Sequence, residues 1–292
     1  MAHKSGFVNI IGNPNVGKST LMNALVGEKI SIITSKSQTT RHRILGIVNS
    51  EDFQIIYSDT PGFIKPHYKL QEAMVNFSVS ALQDADILLY VTDVYEKDDK
   101  NTEFRDKVIK HQAPVIIVIN KIDLSSQEKV QELIDKWQKI APKAHIIPTS
   151  AQYKFNLDTL FDKILELLPE GPAYFPKDSL TDKTERFFVE EIVREKILKF
   201  YSKEIPYSTQ AIVEEFKEYD DIIKIRLNIF VERESQKPII IGSKGTAIKK
   251  VGTEARKDLE DFFEKKIFLD MHVKVAKNWR TNDKKLKQFG YE

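Results

Sequence analysis

The sequence predicts an α/β domain built on a mostly parallel sheet with one antiparallel hairpin, followed by a smaller α+β domain. Three observations carry that prediction. Short apolar runs near 6–11, 44–49, 52–58, 86–92, 114–119 and 144–148 alternate with helical stretches, the pattern of strands buried between two helical layers. The stretch Leu168 Pro169 Glu170 Gly171 Pro172 Ala173 Tyr174 Phe175 Pro176 then places three prolines and a glycine in nine residues, through which no helix continues. Beyond it the order of elements changes. The expected division is a first domain over 1–170, a linker over 171–182 and a second domain over 183–292.

The first strand, Phe7 to Ile11, runs into Gly12 Asn13 Pro14 Asn15 Val16 Gly17 Lys18 Ser19 Thr20. Leu21, Leu25 and Val26 then have helical spacing. Strand, glycine loop GxxxxGKS, helix is the context of a phosphate-binding loop: glycines let backbone N–H groups turn inward, and the helix adds the positive end of its dipole. Lys18 would neutralise the β and γ phosphates, and the Ser19 hydroxyl would ligate Mg2+. The runs at 44–58 are separated only by Ser50 and Glu51, too short for a crossover, so they form a hairpin. The second of them closes on Asp59 Thr60 Pro61 Gly62, where a carboxylate can hold Mg2+ through water and the Gly62 N–H can approach a γ-phosphate. Val115 to Ile119 leads to Asn120 Lys121 Ile122 Asp123 at a carboxyl strand end. There Asp123 can accept two hydrogen bonds from guanine while Lys121 lays its stem along the ring. Thr149 Ser150 Ala151, after another strand, fits a third piece of that pocket, with backbone amides of Ser150 and Ala151 supporting the guanine carbonyl.

Four motifs in this order resemble the P-loop GTPase domain of the translation-factor-related GTPases, over residues 1 to about 170. Between them, ITSKSQTTRHR at Ile33 to Arg43 resembles the first switch of the Era family of ribosome-assembly GTPases. By that resemblance Thr40 completes a Mg2+ shell with Ser19 and Asp59, with Thr39 as the neighbouring alternative. Asn15 matches an asparagine that some relatives use to hold K+; a loop-closing hydrogen bond is its other reading. The sequence departs from small signalling GTPases in having Phe63 after Gly62. A phenyl ring cannot orient the attacking water, so intrinsic hydrolysis of GTP to GDP is expected to be slow.

In the second domain Phe188, Ile192 and Tyr201 suggest an amphipathic helix. Ile212 to Phe216 and Ile223 to Val231 alternate as strands, and Ile239 Ile240 Ile241 precedes Gly242 Ser243 Lys244 Gly245. A long helix to about Lys266 and a last strand with Leu269, Met271, Val273 and Val275 on one face complete the order of a type II KH domain. In that fold a GxxG loop clamps a single-stranded backbone, here with Lys244, Lys249 and Lys250 beside it. Trp279 and Arg280 either extend that groove, by stacking on a base and pairing with phosphate, or close the core. The whole chain then resembles the Era family, which implies binding near the 3′ end of 16S rRNA on the small ribosomal subunit. It also implies a peripheral contact to the inner membrane face; composition suits a cytoplasmic protein, expected to be a monomer.

Charge distribution agrees. From Lys237 onward there are 14 Lys and Arg against 8 Asp and Glu, while the chain as a whole is only +2, so the basic end suits a polyanion. With no cysteine among 292 residues, disulfides, thiolate metal sites and cysteine nucleophiles are excluded. No apolar run reaches membrane-spanning length, no signal peptide is expected ahead of the first strand, and the histidines lack ligand spacing.

Overall fold

The computed structural model describes residues 2–96 and 101–291. Its contacts form two compact units, Met1–Pro66 with Met74–Asp182, and His67–Ala73 with Lys183–Glu292. In the first, β1 (Lys4–Gly12), β2 (Ile44–Asn49), β3 (Phe53–Asp59), β4 (Ile87–Asp93), β5 (Val115–Asn120) and β6 (His145–Pro148) make a sheet of order β2-β3-β1-β4-β5-β6. All pairings are parallel except β2 with β3, the hairpin that the short turn requires. Every residue of β4 and β5 is buried, which is why both read as unbroken apolar runs rather than alternation. The helices are α1 (Lys18–Val26), α2 (Lys69–Gln83, which belongs to this unit from Met74 onward), α3 (Thr102–Ile109), α4 (Gln127–Ile140) and α5 (Leu157–Leu167). Strand order reverses at β1, between β3 and β4, so the crevice for a ligand opens at the carboxyl end of β1.

The stretch 171–182 is bonded along the outer strands. Gln54 Oε1 accepts from Tyr174 N and Phe175 N at 2.7 and 2.9 Å, Ile47 N donates to Leu180 O at 2.8 Å, and Thr181 bridges to Gly46. The contacts at Ile47 and Gly46 cover part of the free edge of β2, which would otherwise present unpaired backbone groups.

The second unit contains α6 (Glu185–Phe200), β7 (Gln210–Glu218), β8 (Ile222–Val231), α7 (Lys237–Ile241), α8 (Thr246–Phe263), β9 (Lys266–Val275) and α9 (Asp283–Gln288). β8 pairs antiparallel with β7, across a bulge between Val213 and Glu215, and parallel with β9. Val189, Val193 and Ile197 of α6, Ile225, Leu227 and Ile229 of β8, and Val251, Ala255 and Leu259 of α8 meet in one core. Leu269, Met271 and Val275 of β9 pack against it with buried Val273, as the alternation predicts.

The expectation of an amphipathic helix through Tyr201 needs correction. α6 is buried from Phe188 to Leu198 except at Glu190, because its charged residues are paired rather than solvated. Arg194 donates to Glu191 in a bidentate pair with 1 % and 7 % side-chain exposure, and Lys196 donates to Glu195 and Asp258. Tyr201 lies one residue beyond the helix in extended conformation, and its hydroxyl donates to Ile240 O at 2.5 Å.

Candidate functional site

A cleft of about 350 Å³ opens at the carboxyl end of β1, lined by the loop from Pro14 to Thr20 except Val16, the segment from Ile32 to Thr40 except Ser37, Gly62 and Lys121. Gly17 caps α1 at φ 98° with no side-chain hydrogen bond to the first turn, so the amides of that turn stay available to an anion. A Cβ on Gly17 would lie 2.3 Å from Asn120 Nδ2, which makes glycine obligatory there for space as well as for φ. Lys18 is 6 % exposed, and its Nζ donates to Gly12 O and Asn13 O at 3.2 and 2.9 Å. Burial lowers its pKa to about 8, although the Asp59 and Glu96 carboxylates oppose the shift.

Ser19, Thr40 and Asp59 are brought together. Ser19 Oγ donates to Asp59 Oδ2 at 2.6 Å, Thr40 Oγ1 donates to the same oxygen at 3.3 Å, and the two hydroxyls are 3.0 Å apart. Asp59 Oδ1 is buried without a hydrogen bond, and desolvation raises the pKa of that carboxyl despite Ser19 and Lys18. A compact set of hard oxygen donors with one unsatisfied carboxylate oxygen fits Mg2+. Thr39 is turned elsewhere: its Oγ1 donates to Lys36 O at 2.7 Å and lies 2.6 Å from Thr34 Oγ1. The geometry therefore favours Thr40 over the Thr39 alternative.

Both ends of the segment carrying Thr40 are anchored, one by Asn23, which no motif marks, and the other by Arg43, the last residue of the switch motif. Asn23 Oδ1 accepts from Ile30 N and Ser31 N at 3.1 and 2.9 Å. Arg43 forks onto Asp84 at 2.6 and 2.9 Å and donates to Ser58 Oγ at 2.7 Å. A bidentate arginine is a rigid anchor.

At the base end, Asp123 is exposed and accepts from Ser150 Oγ at 2.5 Å, which leaves further lone pairs for a base. Lys121 stands at φ 61° and its Nζ donates to Asn15 O and to Asp93 Oδ2, both at 2.6 Å. Asp93 was missed; its place at the carboxyl end of an apolar strand was the available signal. Asn120 proves to be a brace, donating to Val16 O at 2.9 Å and accepting from Ala151 N at 3.0 Å. The Ala151 amide is held by that bond, as a buried N–H needs a partner. The Ser150 N–H likewise donates to Phe155 O at 3.2 Å.

In the second unit, Gly242 ends α7 at φ 74°, Lys244 follows at φ 49°, and Gly245 caps α8 at φ 77° with no side-chain bond. A Cβ on Gly242 would meet Ala247 N at 2.8 Å, so this tight turn demands glycine. Ser243, Lys244, Lys249 and Lys250 are exposed, and together with the uncapped helix start they form a cationic edge. Trp279 is not part of it. The ring is fully buried, its Nε1 donates to Ser208 O at 2.9 Å, and it packs against Phe289 and Tyr291; base stacking is thereby ruled out in favour of closing the core. Arg280 is paired with the buried carboxylate of Glu232, so pairing with phosphate would cost that ion pair.

Comparison with known proteins agrees with this geometry. The family model of 50S ribosome-binding GTPases matches residues 7–121 and the KH domain model matches residues 204–280. GTPase Era of Thermosipho melanesiensis is 50 % identical over 283 residues, covering 96 % of this chain and 95 % of its own. The crystal structure of Era with MgGDPNP and nucleotides 1506–1542 of 16S rRNA superposes with a TM-score of 0.95 at 41 % identity, covering 99 % of both chains. A variant of Aquifex aeolicus Era bound to GDP·AlF4− matches with the same score, identity and coverage. A GxxxxGKS loop with its hydroxyl and carboxylate cluster, an NKID strand end and a KH unit thus occur together in one chain, which belongs to the Era family of GTPases.

Proposed function

We propose that the protein binds and hydrolyses GTP with Mg2+, and that the nucleotide state governs its binding of single-stranded 16S rRNA near the 3′ end during maturation of the small ribosomal subunit. The convergence of Ser19, Thr40 and Asp59 carries this reading. A nucleotide that only stabilised the fold would have no use for a switch threonine beside the metal site. Mg2+ held by Ser19 and Thr40, with Asp59 behind it, would neutralise charge on the β and γ phosphates. Lys18 would hold the phosphates directly, Lys121 and Asp123 the base, and the Gly62 N–H would mark the γ-phosphate. The GSKG loop, with Lys249 and Lys250, would hold the RNA backbone.

The deciding experiment measures affinity for a single-stranded RNA of the 16S 3′ end in GDP and in a non-hydrolysable GTP analogue. Binding should be roughly tenfold tighter with the analogue, an ordinary coupling between two sites. Equal affinities would reduce the protein to two independent binding modules. A peripheral membrane contact belongs to the same reading through family membership; among the described residues no helix is long and apolar enough to cross a membrane.

K+ is the proposed second cation, held by Asn15. This residue stands at φ 67° at the exposed rim of the cleft, and its side chain makes no hydrogen bond among the described residues, so the loop-closing alternative lacks support. A cation there would stabilise charge developing during phosphoryl transfer. Turnover should be roughly tenfold faster in K+ than in Na+ at equal ionic strength, and Asn15→Ala should erase the difference. Equal wild-type rates in the two salts would leave Asn15 with no role in turnover.

A further inference from the structure

From Asn13 of the phosphate loop extends a polar network whose other members no motif marks. Asn13 Nδ2 donates to one oxygen of Glu96, and Thr92 Oγ1 donates to the other. This fixes the Asn13 amide so that its Oδ1 faces Asn101, whose Nδ2 donates to it at 2.7 Å and to the Phe63 carbonyl at 3.0 Å. Phe63 is gripped twice more: its N–H donates to Gly12 O at 3.2 Å, and its ring stacks on Phe104 of α3 with centroids 3.9 Å apart and planes 12° from parallel. Both peptide planes flanking Phe63 are thereby fixed against the phosphate loop and the start of α3.

We infer that Asn101 is a positioning residue for GTP hydrolysis: by holding the Phe63 carbonyl while the Phe63 N–H holds Gly12 O, it fixes the chain immediately after Gly62, so that the main-chain donor at Gly62 is set for the terminal phosphate before it arrives. The inference rests on the GTPase reading above. Its force comes from Phe63. With no side chain at that position able to orient water, catalysis depends more heavily on main-chain donors, whose value lies in being preorganised. A donor displaced by even part of an ångström loses much of its effect.

Asn101 stands at φ 58°, a region that Asp and Gly tolerate better than most residues, so two variants can remove the amide without straining the backbone. Asn101→Asp keeps the volume, and Asn101→Gly adds no charge. Both should lower kcat at saturating GTP by roughly tenfold, while GDP affinity and melting temperature stay close to wild type, because GDP lacks the phosphate that Gly62 addresses. Unchanged kcat in both variants overturns the inference. So does a loss confined to Asn101→Asp, which assigns the effect to charge, or a fall in kcat matched by losses of GDP affinity and melting temperature, which assigns it to general structure. A wild type that fails to hydrolyse GTP in the same assay overturns the GTPase reading itself.

Discussion

Replacing Lys18 by alanine is expected to abolish GTP and GDP binding, by a hundredfold or more, without unfolding the protein. The ammonium is the one cation buried in the phosphate loop, and it is held there by two loop carbonyls. Its cost to the nucleotide-free fold is visible in its pKa, lowered from 10.5 to about 8 by burial. A lowered lysine pKa means that the folded state binds fewer protons than the unfolded state between those values. Stability therefore rises with pH through that window, and the full penalty, on the order of 3 kcal/mol, is present below pH 8. Alanine removes that penalty, so the melting temperature of nucleotide-free Lys18→Ala should equal or exceed wild type's near pH 7. Phosphates raise the lysine pKa again. Wild-type GTP binding at pH 8 should accordingly take up about half a proton, measurable by titration calorimetry in buffers of different ionisation enthalpy. Near-wild-type GTP affinity in the variant would remove Lys18 from the site.

How much of this was legible in the sequence depends on whether a feature is local. The strands were readable because burial on both faces leaves β4 and β5 uniformly apolar. The phosphate loop was readable because its chemistry lies within a few consecutive residues. Glu96 and Asn101 carry no such signal: they meet Asn13 of the loop only once β1, β4 and α3 are packed, and each alone is an ordinary polar loop residue. The bracing of Val16 and Ala151 by Asn120 could not be read from the motif, since it involves partners far away in sequence. Charges on α6 suggested a solvated face, yet a paired Glu191 and Arg194 can be buried, and pairing leaves no mark on periodicity. Trp279 next to Arg280 was compatible with either a nucleic-acid platform or a core plug. Only the partners decide between these: Ser208 O for the indole N–H and Glu232 for the guanidinium.

The double substitution Ser243→Asp with Lys244→Asp is expected to weaken binding of single-stranded 16S RNA by a hundredfold or more at moderate salt, with GTP binding and folding retained. Ser243 and Lys244 form the exposed tip between Gly242 and Gly245, where a KH loop lies against the RNA backbone. The change replaces one positive charge with two negative ones at the start of α8, whose free amides would otherwise favour a phosphate. Folding should survive for three reasons. Both glycines that shape the turn remain, the Ser243 carbonyl still accepts from Thr246 Oγ1, and aspartate tolerates the positive φ of Lys244 at least as well as lysine does. Exposed substitutions of this kind usually move stability by less than about 0.5 kcal/mol. The loss should also appear in the salt dependence, since removing a phosphate contact lowers the slope of log affinity against log salt by about one. RNA binding as tight as wild type's at the same salt would show that the GSKG loop does not carry the RNA backbone.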